Sequence, residues 1–163
     1  EVAAAARRHR ISVVAISASE RRPDGSYAPS FSLFQHKLAD LGLGAVGILK
    51  PMAYLGVTYL DYSLLPDETM AELEESIHRI LFPNRPFEAP AEQDPASAAW
   101  RRWRNEKCDV QAMWSHIHHN QDVFVTADHN FHKETKRPAL RELGARRIKT
   151  PESTVALLGY AQA

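Results

Sequence analysis

The residues best suited to chemistry in this chain are carboxylates. Asp109 and Asp128 fall in the segment CDVQAMWSHIHHNQDVFVTADHNFH, residues 108–132, and Glu20 lies well upstream. Asp128 follows the run Val123-Phe124-Val125-Thr126, and Glu20 follows the apolar run ISVVAIS. Both stand just past the carboxyl end of a predicted strand, where open parallel sheets gather their chemistry. Asp109 is expected to open a helix, where a carboxylate suits unsatisfied N–H groups. Three such acids on one cleft would suit a hard divalent cation, Mg²⁺ or Mn²⁺. Such an ion takes oxygen ligands from a few carboxylates and keeps waters for a phosphate substrate. Each acid also has a plainer reading. Asp109 can be a helix cap, Asp128 a turn former, and Glu20 a solvated charge beside the turn Arg21-Arg22-Pro23-Asp24-Gly25.

Histidines offer a second chemistry. His116, His118, His119, His129 and His132 crowd the same stretch, and mixtures of His and Asp bind Zn²⁺. His116 follows Asp109 by two helical turns and shares its face. Against that, His118 and His119 end a helix, where cationic side chains are favoured without any metal. The single cysteine, Cys108, excludes an internal disulfide and reads as a small buried side chain in a reducing, cytoplasmic setting. Trp100 and Trp103, among Arg101, Arg102 and Arg104, read as core residues before they read as a base-stacking platform.

Composition narrows the classes. A chain of 163 residues is long enough for an α/β domain with a real core. Twenty basic and twenty acidic residues cancel, so no global basic field advertises nucleic acid. A local patch such as Arg101, Arg102 and Arg104 can still hold phosphates. No apolar run has the length of a membrane span, and no signal peptide is visible. The chain opens on Glu1, and an Ala-rich segment then runs into Arg7-Arg8-His9-Arg10, like the last turn of a helix. This beginning is expected to be a fragment's, with a native N-terminal strand upstream.

The elements that must position the acids follow from periodicity. Strands are expected at 11–17, 45–49, 123–126 and 145–149, with a weaker β-like run at 57–62. The strand at 123–126 is short and apolar, as if buried on both faces. Helical spacing marks 31–41, 67–82, 97–106, a helix from Asp109 through Ile117, and 134–143. Gly42 and Gly144 stop two of these helices. Thr150-Pro151-Glu152 starts a last one, with Thr as N-cap and Pro at the first position. Glu72, Glu74 and Glu75 read as a solvated face, and the proline-rich stretch 83–95 as a linker or surface loop. Strand and helix alternate outside the middle, which predicts one mainly parallel sheet with helices on both faces.

The order strand, Asp128, helix, Gly144, short strand, Ile148-Lys149-Thr150-Pro151-Glu152, helix resembles the carboxyl half of PIN domains. The resemblance is strongest over residues 108–158 and extends to 11–20. It does not reach the middle, from about Pro23 to Arg104, where 61–107 would be a helical, proline-rich insertion in a single domain spanning 1–163. It implies a three-layer α/β/α fold and a metal-dependent nuclease, an endoribonuclease that hydrolyses RNA phosphodiesters. Many PIN domains are toxins of toxin–antitoxin pairs, which implies RNA as substrate, an antitoxin protein as partner and room for a homodimer. Glu20, Asp109 and Asp128 would be the catalytic and metal-binding acids, holding Mg²⁺ or Mn²⁺. Thr126 and Asn130 would orient them by hydrogen bonds. The first family acid has no counterpart here and would lie before Glu1. The alternative is a catalytically degenerate PIN-like scaffold that binds RNA or a protein.

Overall fold

The computed structural model describes residues 11–16, 30–91, 94 and 96–157. Its elements alternate as the periodicity predicts. They are β1 (Ser12–Val14), α1 (Phe31–Asp40), β2 (Gly47–Leu49), α2 (Glu68–Leu81), α3 (Ala98–His118), β3 (Val123–Val125), α4 (His129–His132), α5 (Arg137–Glu142), β4 (Arg147–Lys149) and α6 (Pro151–Leu157). The class is α/β, and every pairing between named strands is parallel.

The sheet differs from the single one expected. Among the described residues, β1 pairs only with β2 and β3 only with β4, as two separate two-stranded sheets. The strands are short, and β1 stops early for a local reason. Ala15 N–H still donates to Leu49 O at 3.2 Å, but Ile16 N–H turns back to Val14 O at 3.1 Å. The extended run at 11–16 therefore has little ladder left to share. Nor is β3 buried on both faces: Val125 is 46 % exposed. The weaker β-like run at 57–62 is a turn. Gly56 takes a left-handed φ of 73°, Val57 N–H bonds Tyr54 O, and a single 3-10 turn spans Leu60–Tyr62.

The principal core lies between α2 and α3. Met70, Ile77 and Leu81 share one buried cluster with Val110, Met113 and Trp114, and the cluster continues into Phe131, Leu140, Ala145 and Ile148. The middle of the chain is thus built into the same core as the end. Caps fix the helix starts. Asp67 accepts from Met70 N–H at 2.8 Å, and Ser97 accepts from Trp100 N–H at 3.1 Å. Thr150 accepts from Ser153 N–H at 3.2 Å, as its N-cap reading requires. Gly144 takes φ 107° after α5, a conformation that side chains resist.

Ser97 starts a helix of 21 residues that does not stop at Glu106. The two helices expected in this region are one. Nothing between Glu106 and Asp109 breaks the period, and Trp103, Lys107, Val110 and Trp114 form an unbroken buried stripe. Asp109 therefore lies in mid-helix. Its expected place at a helix start is corrected, and the argument from free N–H groups goes with it.

Two further readings are settled by packing. Trp103 is buried, Trp100 lies against it, and the Trp103 indole N–H donates to Phe87 O at 3.1 Å, so the tryptophans are core. Glu74 is not part of a solvated face: it is 2 % exposed. It accepts from Lys107 Nζ at 3.0 Å and from Gln111 Nε2 at 2.9 Å. Gln111 Oε1 accepts in turn from Met52 N–H at 3.1 Å. The Lys107 ammonium lies 3.5 Å from the centroid of the Phe87 ring and 4.6 Å from that of Tyr54. The proline-rich stretch thus supplies, through Phe87, one wall of an aromatic box around a buried ion pair.

Candidate functional site

The carboxyl end of β3 carries a built polar turn. Asp128 caps α4 by accepting from Asn130 N–H at 2.8 Å. Its own N–H donates to Thr126 Oγ1 at 3.1 Å. The two bonds hold the turn, so the exposed carboxylate starts from a defined place. His132 lies beneath, its Nε2 against Thr126 O at 2.9 Å. Phe131 anchors α4 in the core against Phe124 of β3.

Asp109 on α3 is near enough to this turn to feel the Asp128 charge. It is partly buried, and its carboxyl is pushed up to about 7. Burial is the largest cause, the like charge of Asp128 the next, and Glu106 the third. The Asp128 charge thus adds to the effect of burial on Asp109, although the two residues lie on different elements. Glu106 lies 3.7 Å from Arg85 and shares its charge with that guanidinium. The neighbouring Cys108 thiol is pushed up to about 12, mainly by burial and then by Asp109, so it is an inert apolar filler.

A cation completes the constellation. Lys136, just before α5, donates to Leu81 O and to Asn130 Oδ1. Asn130 Nδ2 donates to the same Leu81 O at 3.3 Å. Leu81 ends α2, whose last carbonyls lack helical partners and carry the negative end of the helix dipole. Lys136 has its pKa lowered by burial first and by Lys133 second, and the Asp128 charge opposes both. Sequence reasoning missed Lys136, because no periodicity or motif links it to Asp128 or to the end of α2.

The predicted site residues are thus distributed as follows. Asp109 and Asp128 come within electrostatic reach, Thr126 and Asn130 both bond Asp128, and Glu20 lies outside the described residues. Among the described residues, no three His, Cys, Asp or Glu side chains gather closely enough to hold a metal ion. Four of the five histidines in this stretch are engaged one by one, His132 with Thr126 O as above. His119 Nε2 lies 2.8 Å from Lys50 O, His118 stacks on Trp114, and His116 Nε2 accepts from Arg146 N–H at 3.2 Å. Burial, and then Arg146, lower His116 to about 4, and Asp122 opposes them. No described helix is long and apolar enough to cross a membrane.

Carboxylate oxygens are the kind of donor that a hard cation takes. The Asp128 charge, after burial, raises the cost of ionising Asp109, and a cation bound there would lower it. No family model matches the chain, and neither a curated protein nor a solved structure matches it.

Proposed function

We propose that the chain is a metal-dependent nuclease of the PIN type, a three-layer α/β/α fold whose substrate is RNA. One observation carries the reading: the charge of Asp128, just past the carboxyl end of the parallel strand β3, raises the Asp109 carboxyl on α3, next after burial. A structural pair would be expected to come with a counter-ion. Among the described residues neither carboxylate has an ion-pair partner, and Lys136 acts on Asp128 only from farther off, an arrangement common where a cation binds or a proton is moved.

Asp109 and Asp128 would hold Mg²⁺ or Mn²⁺, with Glu20 as a further ligand. Such an ion, when bound, would supply positive charge for the attacked phosphate and make the attacking water more acidic. The chain's own residues do the rest. Thr126 and the Asn130 N–H fix the Asp128 turn before substrate arrives. Burial on α3 withholds part of the water from Asp109 and strengthens its attraction for a cation. Hydrolysis adds water oxygen to phosphorus and breaks the bond to the leaving ribose oxygen, which takes up a proton. No nucleophilic side chain is needed.

The test is cleavage of a labelled single-stranded RNA by the protein at the full length of its gene, with Mn²⁺ or with EDTA. Cleavage should require the metal and fall at least ~100-fold in Asp128→Asn, the scale of losing one preorganised electrostatic contact. The amide can still cap α4, so the fold should persist. Cleavage that survives EDTA would remove the metal mechanism. A folded protein that neither cuts RNA nor responds to metal would leave a scaffold that binds RNA or a protein.

A further inference from the structure

Lys136 is held in an unusual way for a half-buried ammonium. Lysine carries three donor protons, and two are taken by Leu81 O and Asn130 Oδ1. Both acceptors are neutral oxygens. Among the described residues, no carboxylate lies within ion-pair distance of it, and its closest aromatic neighbour is the Phe82 ring at 5.9 Å. The negative end of α2 eases its burial but does not neutralise it. The contrast is with Lys107, which is equally fixed and has Glu74 at 3.0 Å.

Its location gives this positive charge a use. Asn130 joins Lys136 to the Asp128 turn: its side-chain oxygen accepts from Lys136 while its backbone N–H donates to Asp128. The ammonium is thus fixed beside the proposed cleavage site by the same residue that fixes the carboxylate. A phosphodiester reaching Asp109 and Asp128 brings a negative charge into a region where two acids repel it. A positioned cation with a proton to spare is the complement that such a substrate needs.

We propose that Lys136 binds a phosphate of the RNA, donating its third proton to a non-bridging oxygen at or next to the bond that is cut. The inference rests on the nuclease reading above and deepens it, since it names the group that receives the substrate's charge. Asn130 is then a positioning residue, which aims Lys136 and Asp128 at one phosphate.

The experiment uses the full-length protein carrying Asp128→Asn, EDTA and a short fluorescent single-stranded RNA, with affinity followed against salt concentration. Adding Lys136→Gln should reduce the slope of log affinity against log salt by about 0.7, the value for one phosphate contact on a single strand. Lys136→Arg should restore the slope. A lysine that only capped α2 would lower the melting temperature and leave the slope alone. A folded Lys136→Gln protein with the parental slope therefore overturns the proposal. A second measurement needs no substitution at Lys136. In the Asp128→Asn protein, bound RNA should protect Lys136 from reductive methylation, read by mass spectrometry, and equal labelling with and without RNA overturns the proposal. The two readings also fail separately. Metal-dependent cleavage with a flat response at Lys136 removes only this inference, whereas a parent protein that neither binds nor cuts RNA removes both.

Discussion

Lys107 and Asp109 lie two residues apart on one helix and meet opposite surroundings. Lys107 is fully buried, yet the Glu74 carboxylate, itself held by Gln111, and an aromatic box complete it. Burial lowers its pKa, and Glu74 works against that shift. Asp109 keeps some water, and the charges that press on it are negative. About half a helix turn is enough to pass from a charge that has an ion-pair partner to one that has none among the described residues. Buried charge alone does not mark a functional site. The informative sign is whether the protein supplies the counter-charge.

The largest effect should come from breaking the completed pair. Lys107→Met leaves Glu74 buried without its cation, and should cost about 3–5 kcal/mol of stability. Thermal melting should fall by roughly 10 °C for a chain of this size. Lys107→Met with Glu74→Leu should recover much of the loss, because the uncompensated charge is gone. A double variant as unstable as the sum of the singles would show that the two residues do not act as a pair.

The incomplete pair should behave in the opposite way. Asp109 has a folded pKa of about 7 against an ordinary 3.8. Between these values the folded state binds more protons than the unfolded one, so this group's contribution to stability falls as pH rises. The slope is at most about 1.4 kcal/mol per pH unit, and residual solvation reduces it. Asp109→Asn should therefore match the parent near pH 4 and exceed it by about 1–2 kcal/mol above pH 7 in EDTA, as denaturant midpoints would show. A variant less stable than the parent at high pH would mean that Asp109 has a hidden counter-ion.

His116 gives the smallest effect and the reverse sign. Its folded pKa of about 4 lies below the ordinary 6.5. It contributes stability above about pH 6.5 that is lost as pH falls toward 4. His116→Phe should cost about 1 kcal/mol near neutrality, because Arg146 N–H loses its acceptor. The difference should shrink in acid. Melting curves of parent and variant at a few pH values would check both points.

The sequence made much of this comparison legible, but not its central feature. Periodicity placed α1, α2 and the four described strands, and turn chemistry placed the Thr150 cap and the turn at Gly144. Asp128 was recognisable from its place after an apolar run, and Thr126 and Asn130 from their closeness to it. Helix boundaries were harder. A polar stretch such as Arg104-Asn105-Glu106-Lys107 reads as an interruption until Glu74 is known to receive Lys107. The sense of Glu74 could not be seen either, since an acid among acids on a helix is ordinarily solvated. Lys136 and Leu81 meet only through the packing of α2 against the carboxyl half, which leaves no local trace.

The most direct measurement is a calorimetric titration of Mn²⁺ into the full-length protein near pH 7, repeated with Asp128→Asn. The account predicts saturable binding in the parent, with a matching rise in melting temperature by mass action. It also predicts proton release from Asp109, visible as a dependence of the heat on buffer, and loss of both signals in the variant. Absence of Mn²⁺ binding in the folded parent, or equal binding in parent and Asp128→Asn, would contradict it.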